Sequence, residues 1–183
     1  MGRKWKTKSQ IKWEMRSMID KLSKELNENY IDQAIQTIEE IGEKKLNEAV
    51  PYLIEQLEST ENALIRNSIA LALSDIGNPE ALEPIVKQLK NPKTEGYRGT
   101  LLASLERFDY SIHLDMLVNF IMEGNFEVSR KSFLMIEAVI QNITEEKRKE
   151  YMEIIKDEIE RLEDKTDLLY EVVDIFNMQN DAK

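Results

Sequence analysis

Ile65-Arg66-Asn67-Ser68-Ile69-Ala70-Leu71-Ala72-Leu73-Ser74-Asp75-Ile76-Gly77-Asn78-Pro79-Glu80-Ala81-Leu82-Glu83-Pro84-Ile85-Val86-Lys87-Gln88-Leu89 carries two amphipathic helices and the break between them. Apolar residues recur at intervals of three and four on each side of Gly77-Asn78-Pro79, the spacing of one helix face. The break has the matching chemistry. Gly ends a helix because it tolerates the left-handed conformation, Asn caps the next, and Pro suits the first helical position.

A shift of the chain by 32 residues aligns this stretch with two others. Arg66, Arg98 and Arg130 fall in one slot, followed by Ile69/Leu101/Phe133, Ala70/Leu102/Leu134 and Ile76/Phe108/Ile140. Upstream, Leu57/Leu89/Ile121 and Leu53/Ile85/Leu117 also match. A period of this length marks a repeat architecture in which each unit is a helical hairpin. Asn91-Pro92 and Gly124-Asn125 supply the turns inside later units. Beyond the three clear units, residues 10–26 and 31–42 predict one more hairpin, and 145–162 with 167–178 another. The expected fold is all-α: an α-solenoid of about five antiparallel helical hairpins over residues 9–179, with a basic tail at 1–8 and a short tail at 180–183.

The stretch 65–89 resembles the short HEAT repeat of the type named after phycobilisome lyases, within the armadillo-like superfamily. In that repeat an Arg opens the second helix, small and aliphatic residues follow, and a Gly-x-Pro-Glu-Ala turn leads into a helix containing Pro. The resemblance extends from about 46 to 141 and implies a right-handed arc whose second helices line its concave side. It also implies that the arginine slot serves structure, linking a helix start to the neighbouring turn or repeat. Tetratricopeptide and ankyrin repeats have nearby periods, but their Trp-Leu-Gly and Thr-Pro-Leu-His signatures are missing.

Composition narrows the function classes. The 183 residues are 42% hydrophobic and 33% charged with 6 Gly and 4 Pro, a mixture that suits helices. Without cysteine, thiolate metal sites and thiol nucleophiles are excluded. The single histidine, His113, has no metal-ligand spacing around it, and no Gly-rich phosphate loop follows a strand. No catalytic residue, metal or cofactor is assigned, and the expectation is a non-enzyme. No stretch has the length of a membrane span, which gives a cytoplasmic expectation.

The net charge of −10 is uneven: residues 1–26 hold eight Lys/Arg against three Asp/Glu, and the remainder is strongly acidic. An acidic body repels phosphate backbones and favours basic partners. The leading expectation is therefore a scaffold that binds a basic protein or peptide partner along its concave helices. Its candidate contacts are Gln33, Gln36, Asn67, Ser74, Arg98, Ser104, Arg107, Lys131, Glu137 and Tyr170. Trp13, opposite the apolar stripe of its helix among Lys12, Arg16 and Lys24, joins them as an exposed contact. Equally, it folds back with Trp5 onto the first repeat.

Glu137 occupies the slot of Leu73 and Leu105. A carboxylate there pairs with Arg130, reaches the groove, or signals a wrong register. The broad apolar arc of the last helix (Leu168, Leu169, Val172, Val173, Ile175, Phe176) fits packing on another copy or partner, or on the preceding hairpin. The rival class is a nucleic-acid protein or a relative of the HEAT-like DNA glycosylases, using the Trp-containing basic N-terminus and groove arginines. The overall acidity disfavours it, and bilin attachment has only the family's name behind it.

Overall fold

The computed structural model describes residues 8–178, which are helical with no strand among them. The α-helices are α1 (Lys8–Asn27), α2 (Ile31–Glu43), α3 (Val50–Ser59), α4 (Ala63–Ile76), α5 (Leu82–Lys90), α6 (Arg98–Leu105), α7 (Leu114–Glu123), α8 (Phe126–Val139) and α9 (Glu145–Met178). They group into two compact units, the first running to His113 and the second beginning at Leu114.

In the first unit α1 pairs with α2, α3 with α4, and α5 with α6, while α2, α4 and α6 pack side by side in one layer. Single 3₁₀ turns at Asn47–Ala49, Pro79–Ala81 and Ser111–His113 precede α3, α5 and α7, so these starts keep the 32-residue stride. The stride also sets burial. On α2 the buried residues are Ala34, Thr37, Ile38, Ile41 and Gly42; on α4 their counterparts Arg66, Ile69, Ala70, Leu73 and Ser74 are buried too. Leu101, Leu102 and Leu105 continue the pattern on α6. Each fully buried aliphatic contributes about 1.5–3 kcal/mol relative to an exposed one.

Local chemistry stops and starts these helices as the sequence predicts. Gly77 ends α4 at φ 75°, and its N–H donates to the Leu73 carbonyl at 3.0 Å. Asn62 caps α4, its side chain accepting from the Leu64 and Ile65 N–H groups at 2.9 and 3.2 Å. Asn78 accepts from the Glu80 N–H and donates to Asn47 Oδ1 at 2.9 Å, tying one inter-repeat turn to the previous one.

In the second unit α7 packs on α8 and on α9. Here the stride changes. The link between α3 and α4 has three residues, Thr60-Glu61-Asn62, whereas that between α7 and α8 has two, Gly124-Asn125. A Cβ on Gly124 would stand 2.4 Å from the Phe120 carbonyl oxygen, so this tight turn requires glycine. The shorter link brings α8 in one residue early, and one residue rotates a helix by about 100°. Val128, Ser132 and Met135 therefore face the core, while Phe133 and Leu134 are exposed at 47% and 43%. The register of 32 holds up to the start of α7, whereas on α8 the buried Ser132 and Met135 stand 31 residues after Leu101 and Ser104, and Phe133 leaves the slot of the buried Leu102 exposed.

The fifth hairpin is also corrected. Residues 145–178 form one continuous helix. Glu163-Asp164-Lys165-Thr166 contains none of Gly, Pro or Asn, so nothing stops the helix where the second arm was expected to start. Tyr151 anchors its first half by donating to Asp115 of α7 at 2.7 Å. Burial and that carboxylate both push the phenol pKa up.

A close contact between α2 and α4 gives a stability test. A Cβ on Gly42 would meet the Ala72 Cα at 2.9 Å, whereas one on Gly96 meets open space. Gly42→Ala should destabilise the first unit by about 1–3 kcal/mol despite its better helix propensity, because two packed backbones must separate. Gly96→Ala should change the urea midpoint little; equal midpoints for the two variants would contradict the packing.

Candidate functional site

α4 is flanked by α2 and α6 within its layer and backed by α3, which leaves one side open. Its exposed and half-buried residues on that side are Leu64, Ser68, Leu71 and Asp75, at the spacing of a helical stripe. The 32-residue stride carries the stripe across the layer. Asp32, Gln36, Glu39 and Glu43 occupy the same positions on α2, Thr100 and Ala103 do so on α6, and Arg107 follows in the turn just after α6.

Three kinds of surface thus lie side by side. α2 offers carboxylates, α4 offers two leucines, and α6 offers small residues closed off by an arginine. Leu64 and Leu71 are 59% and 44% exposed, large for aliphatic side chains in the middle of a packed layer. They sit seven residues apart, about 10 Å along the helix axis. Arg107 reaches back to Asp75 at 3.2 Å, so the charge is balanced on the α6 side and remains negative on the α2 side.

The predicted contacts divide accordingly. Gln36 and Arg107 lie on the open stripe, and Gln33 is exposed beside it. Asn67 borders the stripe, half-buried, with its Oδ1 turned into the protein. Ser74 and Ser104 are corrections: they are buried at 5% and 0% exposure, because their positions face neighbouring helices, and Ser104 donates to the Leu101 carbonyl at 2.7 Å. Arg98 is half-buried and donates from Nε to the Leu89 carbonyl at 2.9 Å, closing the end of α5. Arg66, buried, donates to the Thr60 carbonyl at the end of α3 at 3.0 Å. Both arginines tie a second helix to the end of the helix before it.

Arg130 does not share that environment. It is exposed, with its guanidinium 5.5 Å from the Phe133 ring centre. Ser129 takes its place, donating to the Phe120 and Gly124 carbonyls at 3.0 and 3.1 Å, and it stands 31 residues after Arg98 as Phe120 stands after Leu89. The same slip resolves Glu137, which is exposed and equivalent to the exposed Glu106 rather than to Leu105. Glu137, the half-buried Lys131 and the exposed Tyr170 belong to the second unit.

Trp13 is 74% exposed on α1, in line with exposed Arg16, Asp20 and Lys24, which removes the folded-back alternative for this ring. Trp5 lies outside the described residues. By residue type alone Leu64 and Leu71 read as core; only their place opposite the buried pattern on α4 marks them as surface.

Among the described residues no group of His, Asp and Glu is arranged to hold a metal ion, and no helix is long and apolar enough to cross a membrane. A family model described as HEAT repeats matches residues 17–131. No curated protein and no solved structure matches the chain.

The arginines separate structural from surface roles. Arg66→Met should cost about 1.5–3 kcal/mol, since it leaves the Thr60 carbonyl without its charged donor. Arg130→Met should fall within about 0.5 kcal/mol of wild type, as an exposed substitution. Denaturation midpoints check both, and a large loss at Arg130 would contradict the assignment of its slot to Ser129.

Proposed function

The chain belongs to the family of HEAT repeats, which generally mediate protein–protein interaction, and on that premise we propose that it binds a basic amphipathic helix of a protein partner across the open face of α2, α4 and α6. The carrying observation is the pair Leu64 and Leu71, exposed side by side on α4 next to the carboxylates Asp32, Glu39 and Glu43 of α2. An amphipathic helix that docks on a groove presents anchors at i and i+7, which is the spacing of these two leucines. Its lysines and arginines would face α2, where attraction steers association and is screened by salt. The small side chains Thr100 and Ala103 leave room for its third side.

HEAT-repeat proteins are typically non-enzymatic scaffolds, and the reading is of a scaffold. The rival nucleic-acid reading has the α2 carboxylates against it, because they repel a phosphate backbone from the same face.

Capture from native extract with the wild-type chain and with Leu64→Arg/Leu71→Arg compares the two directly. Both positions are exposed, so the variant should fold, with an unchanged circular dichroism melt. A partner bearing a basic amphipathic helix should be retained by the wild type, lost from the variant, and released as salt rises from 50 to 500 mM (about a threefold shorter Debye length). Retention of the same proteins by the variant, or the absence of any wild-type partner, contradicts the proposal.

A further inference from the structure

α9 has little tertiary cover over its second half. From Ile159 to Val173 every residue is exposed, including Ile159, Leu162, Leu168, Leu169, Val172 and Val173. A helix of this length without tertiary cover is marginal in water. Its seam is ordered: Met152, Ile155, Ile159, Leu162, Leu169 and Val173, with Thr166 at one polar position whose hydroxyl donates to the Leu162 carbonyl, alternate steps of three and four, the pattern of a coiled coil.

The first half of the same seam borders an open apolar groove of about 320 Å³ within the second unit. Val118, Ile121, Phe133 and Ile136 line it together with Met152 and Ile155. The groove lies beside the half of α9 where a folded-back arm was expected, and that arm instead continues straight into solvent. One chain therefore presents both an uncovered helix and an unfilled place for one.

We propose that α9 pairs antiparallel with α9 of a second copy of this chain, the second half of each helix covering the groove of the other. The charges flanking the seam select this arrangement. With Ile159 opposite Leu162 of the second copy, Met152 meets Leu169 and Ile155 meets Thr166. Lys156 then lies nearest Glu163, and Glu158 nearest Lys165, so the central charged flanking pairs are of opposite sign, with the uncharged Tyr170 beside Lys149 and Val172 beside Tyr151 farther out. A parallel pair sets Glu158 against Glu163. Sliding the antiparallel pair by one heptad sets either Lys165 against Lys165 with Glu163 against Glu163, or Lys156 against Lys156 with Glu158 against Glu158. A second copy thus fits the seam in one orientation and register.

Sedimentation equilibrium of the full chain between about 1 and 100 μM, the usual range of weak to moderate self-association, should report a dimer. Leu162→Glu/Leu169→Glu should give a folded monomer whose melting no longer depends on protein concentration, since both residues are already exposed in the single chain. Lys156→Glu should weaken the dimer at least about tenfold, or roughly 1.4 kcal/mol, and adding Glu163→Lys should restore it. Because the chain has no cysteine, orientation is readable from introduced ones. A Met152→Cys copy mixed with a Leu169→Cys copy should cross-link, while Leu169→Cys alone should not. A wild-type monomer throughout the range, a dimer indifferent to the glutamates, failure of the charge swap to restore pairing, or a Leu169→Cys self-cross-link each overturns the proposal. Leu64→Arg/Leu71→Arg should leave dimerisation unchanged, which keeps this inference separate from the partner site on α4.

Discussion

The structure depends on the enclosure of α4. A helix with neighbours on both sides and behind must bury most of its circumference, and Ile65, Arg66, Ile69, Ala70, Ala72, Leu73 and Ser74 do so. Close approach of α2 at Gly42 and Ala72 makes that enclosure tight and fixes the rotation of α4 about its axis. With rotation fixed, the residues left open are fixed as well. Leu64 and Leu71 are exposed, and Ser68 and Asp75 half-exposed, for the same reason that Leu73 is buried.

Polar interactions refine this arrangement without driving it. Lys87–Glu58, Lys93–Glu61 and Arg107–Asp75 join one repeat to the next at 2.7–3.2 Å, but all are solvent-exposed pairs of small individual worth. The hydrogen bonds of Arg66, Arg98 and Ser129 matter more because they donate to carbonyls where one helix ends and the next begins, a region rich in carbonyls without a partner inside the helix. A serine performs in the second unit what an arginine performs in the first. The role belongs to the position where the helix ends meet, and residue type follows the distance to be spanned.

Much of the first unit was legible because its punctuation and its core share one stride. Gly77-Asn78-Pro79 marks a turn by backbone chemistry, and the aliphatic slots on α2, α4 and α6 repeat at that interval. The slip at Gly124-Asn125 was hidden because aliphatic slots tolerate a shift of one: Leu117 still matches Ile85, and Arg130 stands next to the true counterpart, Ser129. Glu137 was the visible symptom of that slip. The continuity of α9 was readable too, from the absence of stop residues at 163–166, but two apolar clusters invited a hairpin. The open face required subtracting the buried pattern from each helix, since apolar Leu64 and Leu71 look like core by type alone.

Cysteine accessibility reads the phase of the helices most directly, because the chain contains no cysteine of its own. Single substitutions at Leu71 and Leu134 should react readily with a maleimide in the native state, while those at Leu73, Leu105 and Met135 should be protected until global unfolding. Protection at Leu134 together with rapid labelling at Met135 would restore an unbroken 32-residue register through α8. Protection at Leu71 would remove the open face from α4.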